Sequence, residues 1–180
     1  DGTPRYLVGS PVPATGQLVL ESISALGTND VWAVGYYGVG FDSQTLTEHW
    51  DGTAWSIVSS PNVGTVSNEL YAISALVAND LWAVGENCSG TNQCLTLVEH
   101  WDGTAWSVVS SPNTASSINV LYGVSAVSVN DIWAVGGHSD GGFQSMMPLI
   151  EHWDGTAWSI LPGADIGTAY ALFASVTAIS

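Results

Sequence analysis

The sequence predicts an all-β fold, a β-propeller of four-stranded antiparallel blades, with about three and a half blades in this chain. Three observations carry that prediction. Trp-Ala-Val-Gly recurs from Trp32, Trp82 and Trp133, 50 and 51 residues apart, and Glu-His-Trp-Asp-Gly-Thr-Ala-Trp-Ser recurs from Glu48, Glu99 and Glu151. A repeat of about 50 residues is the length of a propeller blade. Each repeat also holds four short runs rich in β-branched and aromatic residues, divided by turn signals and without a 3.6-residue period. The runs are nearly continuously apolar, as in Ile132-Trp133-Ala134-Val135, the pattern of a sheet covered on both faces.

Taken in order, residues 1–16 read as an orphan outer strand, at 5–8, and a linker, because Asp1-Gly2-Thr3 through Ser10-Pro11 matches Asp102-Gly103-Thr104 through Ser111-Pro112. Blades then occupy 17–60, 61–111 and 112–162. In the middle one, strands A to D are expected at 70–76, 81–85, 95–101 and 105–110. Asn79-Asp80 turns A into B, and Asp102-Gly103 predicts a two-residue type I′ hairpin between C and D. Residues 163–180 supply the inner strand of an incomplete blade, since Val176-Thr177-Ala178-Ile179 aligns with Ile73-Ser74-Ala75-Leu76. A closed ring has about four to eight blades. Three readings of the missing ones stay open: a longer chain, self-association, or a repeating fibre. Unpaired A and D edges invite partner strands, from a second copy or from neighbouring blades of a longer chain.

The net charge is −15 with only 9% charged residues, because the chain has one Arg, Arg5, and no Lys. That excludes nucleic acid and anionic membrane as partners, since phosphate neutralisation needs cations. No apolar run approaches the roughly 20 residues of a membrane helix, and no secretory signal peptide is visible. A surface of Ser, Thr, Asn and Gly, together with two cysteines, predicts an extracellular or cell-surface location. Cys88 and Cys94 are too isolated for a metal site and lack a neighbouring base for thiol catalysis, so a local disulfide is expected. Asn87-Cys88-Ser89 is a glycosylation sequon.

In a meandering blade the tight Asn-Asp and Asp-Gly turns share one end. The variable B-to-C and D-to-A segments share the other, where binding is expected. The aromatic residues there, Tyr36, Tyr37, Phe41, His138 and Phe143, are candidates for stacking on sugar rings or for covering blade edges. Glu48-His49, Glu99-His100 and Glu151-His152 have metal-ligand chemistry. They belong to the third strands of separate blades, which diverge at about 4.8 Å per strand, so structural pairing is expected. One carboxylate per Asp-Gly turn falls short of the six to eight oxygens calcium takes, by the usual count of about that number. No phosphate loop, nucleophile elbow or metal motif occurs; neither enzyme activity, cofactor nor metal is expected.

The phrases Asn-Asp-(Val/Leu/Ile)-Trp-Ala-Val-Gly and Glu-His-Trp-Asp-Gly-Thr-Ala-Trp-Ser resemble the kelch-like propeller repeats of secreted bacterial proteins, over essentially the whole chain. They depart from kelch proper, which has Gly-Gly where this chain has Ala-Val-Gly. The Trp-Asp-Gly element is also similar to that of tachylectin-type propeller lectins. The resemblance implies an extracellular propeller and names no ligand. The expected function is a non-enzymatic structural, adhesive or protein-interaction module. The alternatives are a lectin that holds glycans on the variable-loop face and the accessory domain of a secreted enzyme.

Overall fold

The computed structural model describes residues 9–11, 16–90, 93–163 and 170–179; the outer strand expected at 5–8 lies outside them. The described residues form twelve strands in three antiparallel meanders. Blade 1 is β1 (Gln17–Gly27), β2 (Asp30–Val39), β3 (Asp42–Trp50) and β4 (Trp55–Val58). Blade 2 is β5 (Ser67–Val77), β6 (Asp80–Cys88), β7 (Cys94–Trp101) and β8 (Trp106–Val108). Blade 3 is β9 (Ile118–Ser128), β10 (Asp131–Ser139), β11 (Met147–Trp153) and β12 (Trp158–Ile160). The fold is all-β and of propeller type, and no strand is joined to the next within a blade by anything but a short connection. One parallel bridge, Cys94 opposite Ile118, also ties blade 2 to blade 3.

Strand alternation gives every blade two chemically different faces. In blade 1, Ala33 lies opposite Glu48 and faces one way, while Trp32 lies opposite His49 and faces the other. Stacking then mates unlike faces. Trp32 and Val34 of blade 1 pack on Leu70, Ile73, Ala83 and Trp106 of blade 2; Trp82 and Val84 of blade 2 pack on Leu121, Val124, Ala134 and Trp158 of blade 3. Each seam centres on one tryptophan between two from the next blade. Trp32 lies 4.8 Å from Trp101 and 5.8 Å from Trp106, and Trp82 lies 5.2 Å from Trp153 and 5.6 Å from Trp158. Burial of each contributes roughly 2–3 kcal/mol.

Serines of the inner strands join the blades further. The amide of Ala75 donates to Ser24 Oγ at 3.2 Å, that of Ala126 to Ser74 Oγ at 3.0 Å, and that of Ala178 to Ser125 Oγ at 3.1 Å. The glycine of Trp-Ala-Val-Gly has a steric cause. A Cβ on Gly35, Gly85 or Gly136 would stand 1.9, 1.8 or 2.0 Å from the carbonyl oxygen of Val19, Glu69 or Val120 on the inner strand.

The connection between C and D differs from the two-residue turn the sequence suggests. Strands end at Trp50 and resume at Trp55, leaving a four-residue loop closed by Asp51 N donating to Ala54 O at 3.3 Å. The cause is the aspartate side chain. Asp51 Oδ1 accepts from Thr53 N, Thr53 Oγ1 and Ala54 N at 2.8, 2.6 and 2.9 Å, which favours an Asx-type loop over the tight hairpin. Asp102 and Asp154 repeat those bonds.

Residues 170–179 lie against blade 3 and join no strand ladder among the described residues. Ala171 N donates to Met146 O at 3.0 Å and Phe173 N to Gly136 O at 3.2 Å.

Candidate functional site

The repeated titratable residues are engaged blade by blade. His49, His100 and His152 each place Nε2 2.9 Å from an aspartate at the start of the second strand, Asp30, Asp80 and Asp131. Each ring packs on its blade's tryptophan at 4.4 Å. Asp80 and Asp131 also accept from the indole Nε1 of Trp82 and Trp133, both at 2.8 Å. These Asp–His–Trp sets stand in three separate blades and share no ligand position.

The glutamates beside those histidines are fully buried on the opposite faces, Glu48, Glu99 and Glu151 all being 0% exposed. The Ser10 hydroxyl lies 2.6 and 2.8 Å from the two oxygens of Glu48. Ser60 and Ser111 hold the equivalent places beside Glu99 and Glu151, but their hydroxyls bond Thr45 and Thr96, each at 2.6 Å. Burial pushes Glu99 and Glu151 up to about 8, with the neighbouring Ser60 and Ser111 opposing. Glu48 is raised by burial too, with Ser10 opposing. Asp51, Asp102 and Asp154 move the other way, down to about 2, chiefly because the threonine hydroxyl and then loop amides stabilise the carboxylate.

The variable end carries the aromatic candidates in two groups. Tyr36, Tyr37 and Phe41 belong to the β2–β3 hairpin of blade 1. Phe41 at its tip is 92% exposed, and Tyr37 donates to Gln44 Oε1 at 2.6 Å across the ladder. Tyr36 is partly buried, and burial, Glu69 and Glu21 in that order raise its phenol. His138 and Phe143 belong to blade 3. His138 Nδ1 lies 3.0 Å from Ser116 Oγ, and Phe143 is 48% exposed on the β10–β11 connection. Blade 2 stands between the groups, so the structure does not gather the five residues into one cluster.

Blade 2 holds a group that sequence reading missed. Glu69 and Glu86 lie directly opposite each other on β5 and β6. The Tyr71 hydroxyl is 2.7 Å from Glu69 Oε2 and 3.0 Å from Glu86 Oε1, and Ser43 of blade 1 donates to Glu69 Oε1 at 2.7 Å. One phenolic proton serves only one of the two carboxyls at a time. Burial pushes Glu86 up to about 7, Tyr71 opposing and the charge of Glu69 adding to the rise, so Glu86 carries the second proton in mildly acidic solution. Beside Ser43 opens a polar pocket of about 290 Å³ lined by residues including Asp42, Gln44, Asn62 and Asn68. The signal was a break in the repeat: Glu69 and Glu86 stand where the other blades have Val19 with Tyr36 and Val120 with Gly137.

Cys88 and Cys94 form a disulfide across a ladder position that closes the β6–β7 connection. Glu86 offers an oxygen within 4.8 Å of both sulfurs, which are bonded to each other and offer no thiolate. Asn87 Nδ2 donates to Thr96 O at 3.2 Å.

Two seams open outward into equivalent grooves. One of about 410 Å³ lies between the Ser59-Ser60-Pro61 segment and Trp101, Thr104 and Trp106; one of about 420 Å³ lies between Ser110-Ser111-Pro112 and Trp153, Thr156 and Trp158. The fold and these seams define an array of propeller blades. No family model and no curated protein matches the chain. Among solved structures, YCF48 bound to D1 peptide is similar, with 18% identity and a TM-score of 0.41 over 78% of this chain and 38% of that one.

Proposed function

We propose that this chain is a non-enzymatic extracellular propeller module for adhesion or protein interaction, and that it binds through its variable hairpin end. One observation carries the reading. Among the described residues, the repeated histidines are paired with aspartates inside single blades and the repeated glutamates are buried, whereas the exposed, non-repeating aromatics, Phe41 and Phe143, stand on the hairpins at one end. Binding energy concentrates on such aromatic anchors. With 16 acidic residues against one Arg, the partner surface is neutral or basic. The test is an array of immobilised extracellular proteins probed with the chain and with Phe41→Ala/Phe143→Ala. The reading expects a bound protein whose signal falls about tenfold in the variant at unchanged melting temperature. Silence across the array, or binding that ignores both residues, contradicts it.

The lectin reading keeps one specific support, the recurrence of Trp- and hydroxyl-lined grooves in both seams. Those grooves contain none of the variable-loop aromatics. A glycan array distinguishes them: a signal abolished by Thr104→Val/Thr156→Val favours glycan binding in the seams, and a silent array removes it.

A further inference from the structure

We propose that Glu69, Tyr71 and Glu86 of blade 2, with Ser43 of blade 1, hold a hard divalent cation of the calcium type. Breaks in the repeat mark these residues out. Glu69 stands where the other inner strands carry Val19 and Val120, and Glu86 where the other second strands carry Tyr36 and Gly137. Ser43 N donates to Val66 O as Cys94 N does to Ser117 O, yet the blade 2 residue at this position is disulfide-bonded while Ser43 offers a hydroxyl. The three departures meet in one place. Ser43 Oγ lies 2.7 Å from Glu69 Oε1, Glu69 Oε2 lies 2.7 Å from the Tyr71 hydroxyl, and that hydroxyl lies 3.0 Å from Glu86 Oε1.

An orphan atom points to the ligand. Glu86 is only 6% exposed, and its Oε2 is enclosed and accepts no hydrogen bond among the described residues. A carboxylate so buried needs a counter-charge. The Cys88 and Cys94 sulfurs, within 4.8 Å of a Glu86 oxygen, are bonded to each other and supply none. Protonation would remove the charge, but an O–H on Oε2 would exchange an orphan acceptor for an orphan donor. A divalent cation meets each need: it gives Oε2 a partner, neutralises both carboxylates and ends their competition for one phenolic proton. The donors are all oxygens, two from each carboxyl and one from each hydroxyl. They total at most about six, the lower end of the roughly six to eight that calcium takes in flexible geometry, whereas magnesium demands a stricter octahedron. The polar pocket of about 290 Å³ beside Ser43 provides the way in and room for water ligands.

The inference goes beyond the proposed function and has its own readout, so either can fail without the other. Isothermal titration of the full chain with calcium chloride, and separately with magnesium chloride, tests it. Salt at about 0.15 M screens diffuse attraction of cations to the net charge of −15. One saturable calcium site is expected, with a Kd of about 0.1–1 mM as in extracellular modules, and about tenfold weaker binding of magnesium. Glu86→Gln keeps the shape of the side chain and removes its charge, and it weakens calcium binding about tenfold or more because ligand charge sets affinity. Glu69→Val does the same with the residue that blades 1 and 3 carry at that position. Asp102→Asn, at a loop carboxylate outside the cluster, leaves binding unchanged. Calcium also raises the melting temperature of the full chain and not that of Glu86→Gln, since a ligand of the folded state stabilises it. Titrations and melts indifferent to calcium up to about 10 mM, above the range of such modules, overturn the inference. So does a calcium site that either cluster variant retains at full strength, or one that takes magnesium equally well.

Discussion

Glu99 and Glu151 show at the scale of one residue how the repeat trades solvent for packing. A carboxyl whose pKa is about 8 in the fold and about 4.5 when unfolded binds its proton more tightly in the native state. Its contribution to stability is fully present below the unfolded value and is lost as pH rises through the folded one. Each group then lowers stability steadily as pH rises between those limits. Glu86, pushed up to about 7, acts in the same direction. The aspartates of the loops, lowered to about 2, withdraw their contribution as pH falls from the unfolded range through that value. Stability therefore peaks at about pH 4, between the unfolded aspartate and glutamate values of 3.8 and 4.5, and falls toward pH 8. Thermal melts across pH check this: Glu99→Gln/Glu151→Gln is expected to flatten the fall, and an unchanged profile contradicts the assignment. At the loops, Asp102→Ala lowers the melting temperature and Asp102→Asn, which keeps an acceptor oxygen, restores most of it.

Single elements explain which parts of the fold were legible in the chain. The strands of blade 2 follow from apolar runs and turn signals, and β5 to β8 fall close to the expected ranges. The hairpin at Asp102 was not legible, because Asp-Gly alone does not tell a two-residue turn from a longer loop held by the side chain. The role of Ser24, Ser74 and Ser125 was hidden as well: a serine in an apolar run reads as a solvent-facing break, and only the neighbouring blade supplies the amide it accepts. Gly85 is the sharpest case, since its constraint is a carbonyl on another strand. Gly85→Ala is expected to destabilise by several kcal/mol, against the stabilisation of up to ~1 kcal/mol that the same change gives at an unstrained position, because backbone must shift to clear Glu69 O. Urea unfolding measures it, and a loss under 1 kcal/mol, on the order of a surface substitution, refutes the steric account. Reduction of the Cys88–Cys94 disulfide, which closes a short loop, is expected to cost about 2 kcal/mol in the same assay.

The whole molecule is a stack in which unlike blade faces mate, and this arrangement relates its parts. The same residues that make each blade foldable make the seams, which is why the repeated phrases report architecture and say little about ligands. The candidate site divides accordingly. Its loop aromatics were identified from their position in the repeat, whereas Glu69, Tyr71 and Glu86 converge only through strand register. In this stack the tryptophans of the repeat couple neighbouring blades into one cooperative unit. A double-mutant cycle across the first seam measures that coupling, with Trp32→Leu, Trp106→Leu and the pair compared by urea unfolding. Trp32 and Trp106 are edge to face at 5.8 Å, and a coupling of about 1 kcal/mol in a single cooperative transition is expected. Additive losses, or separate transitions for blades 1 and 2, would contradict it.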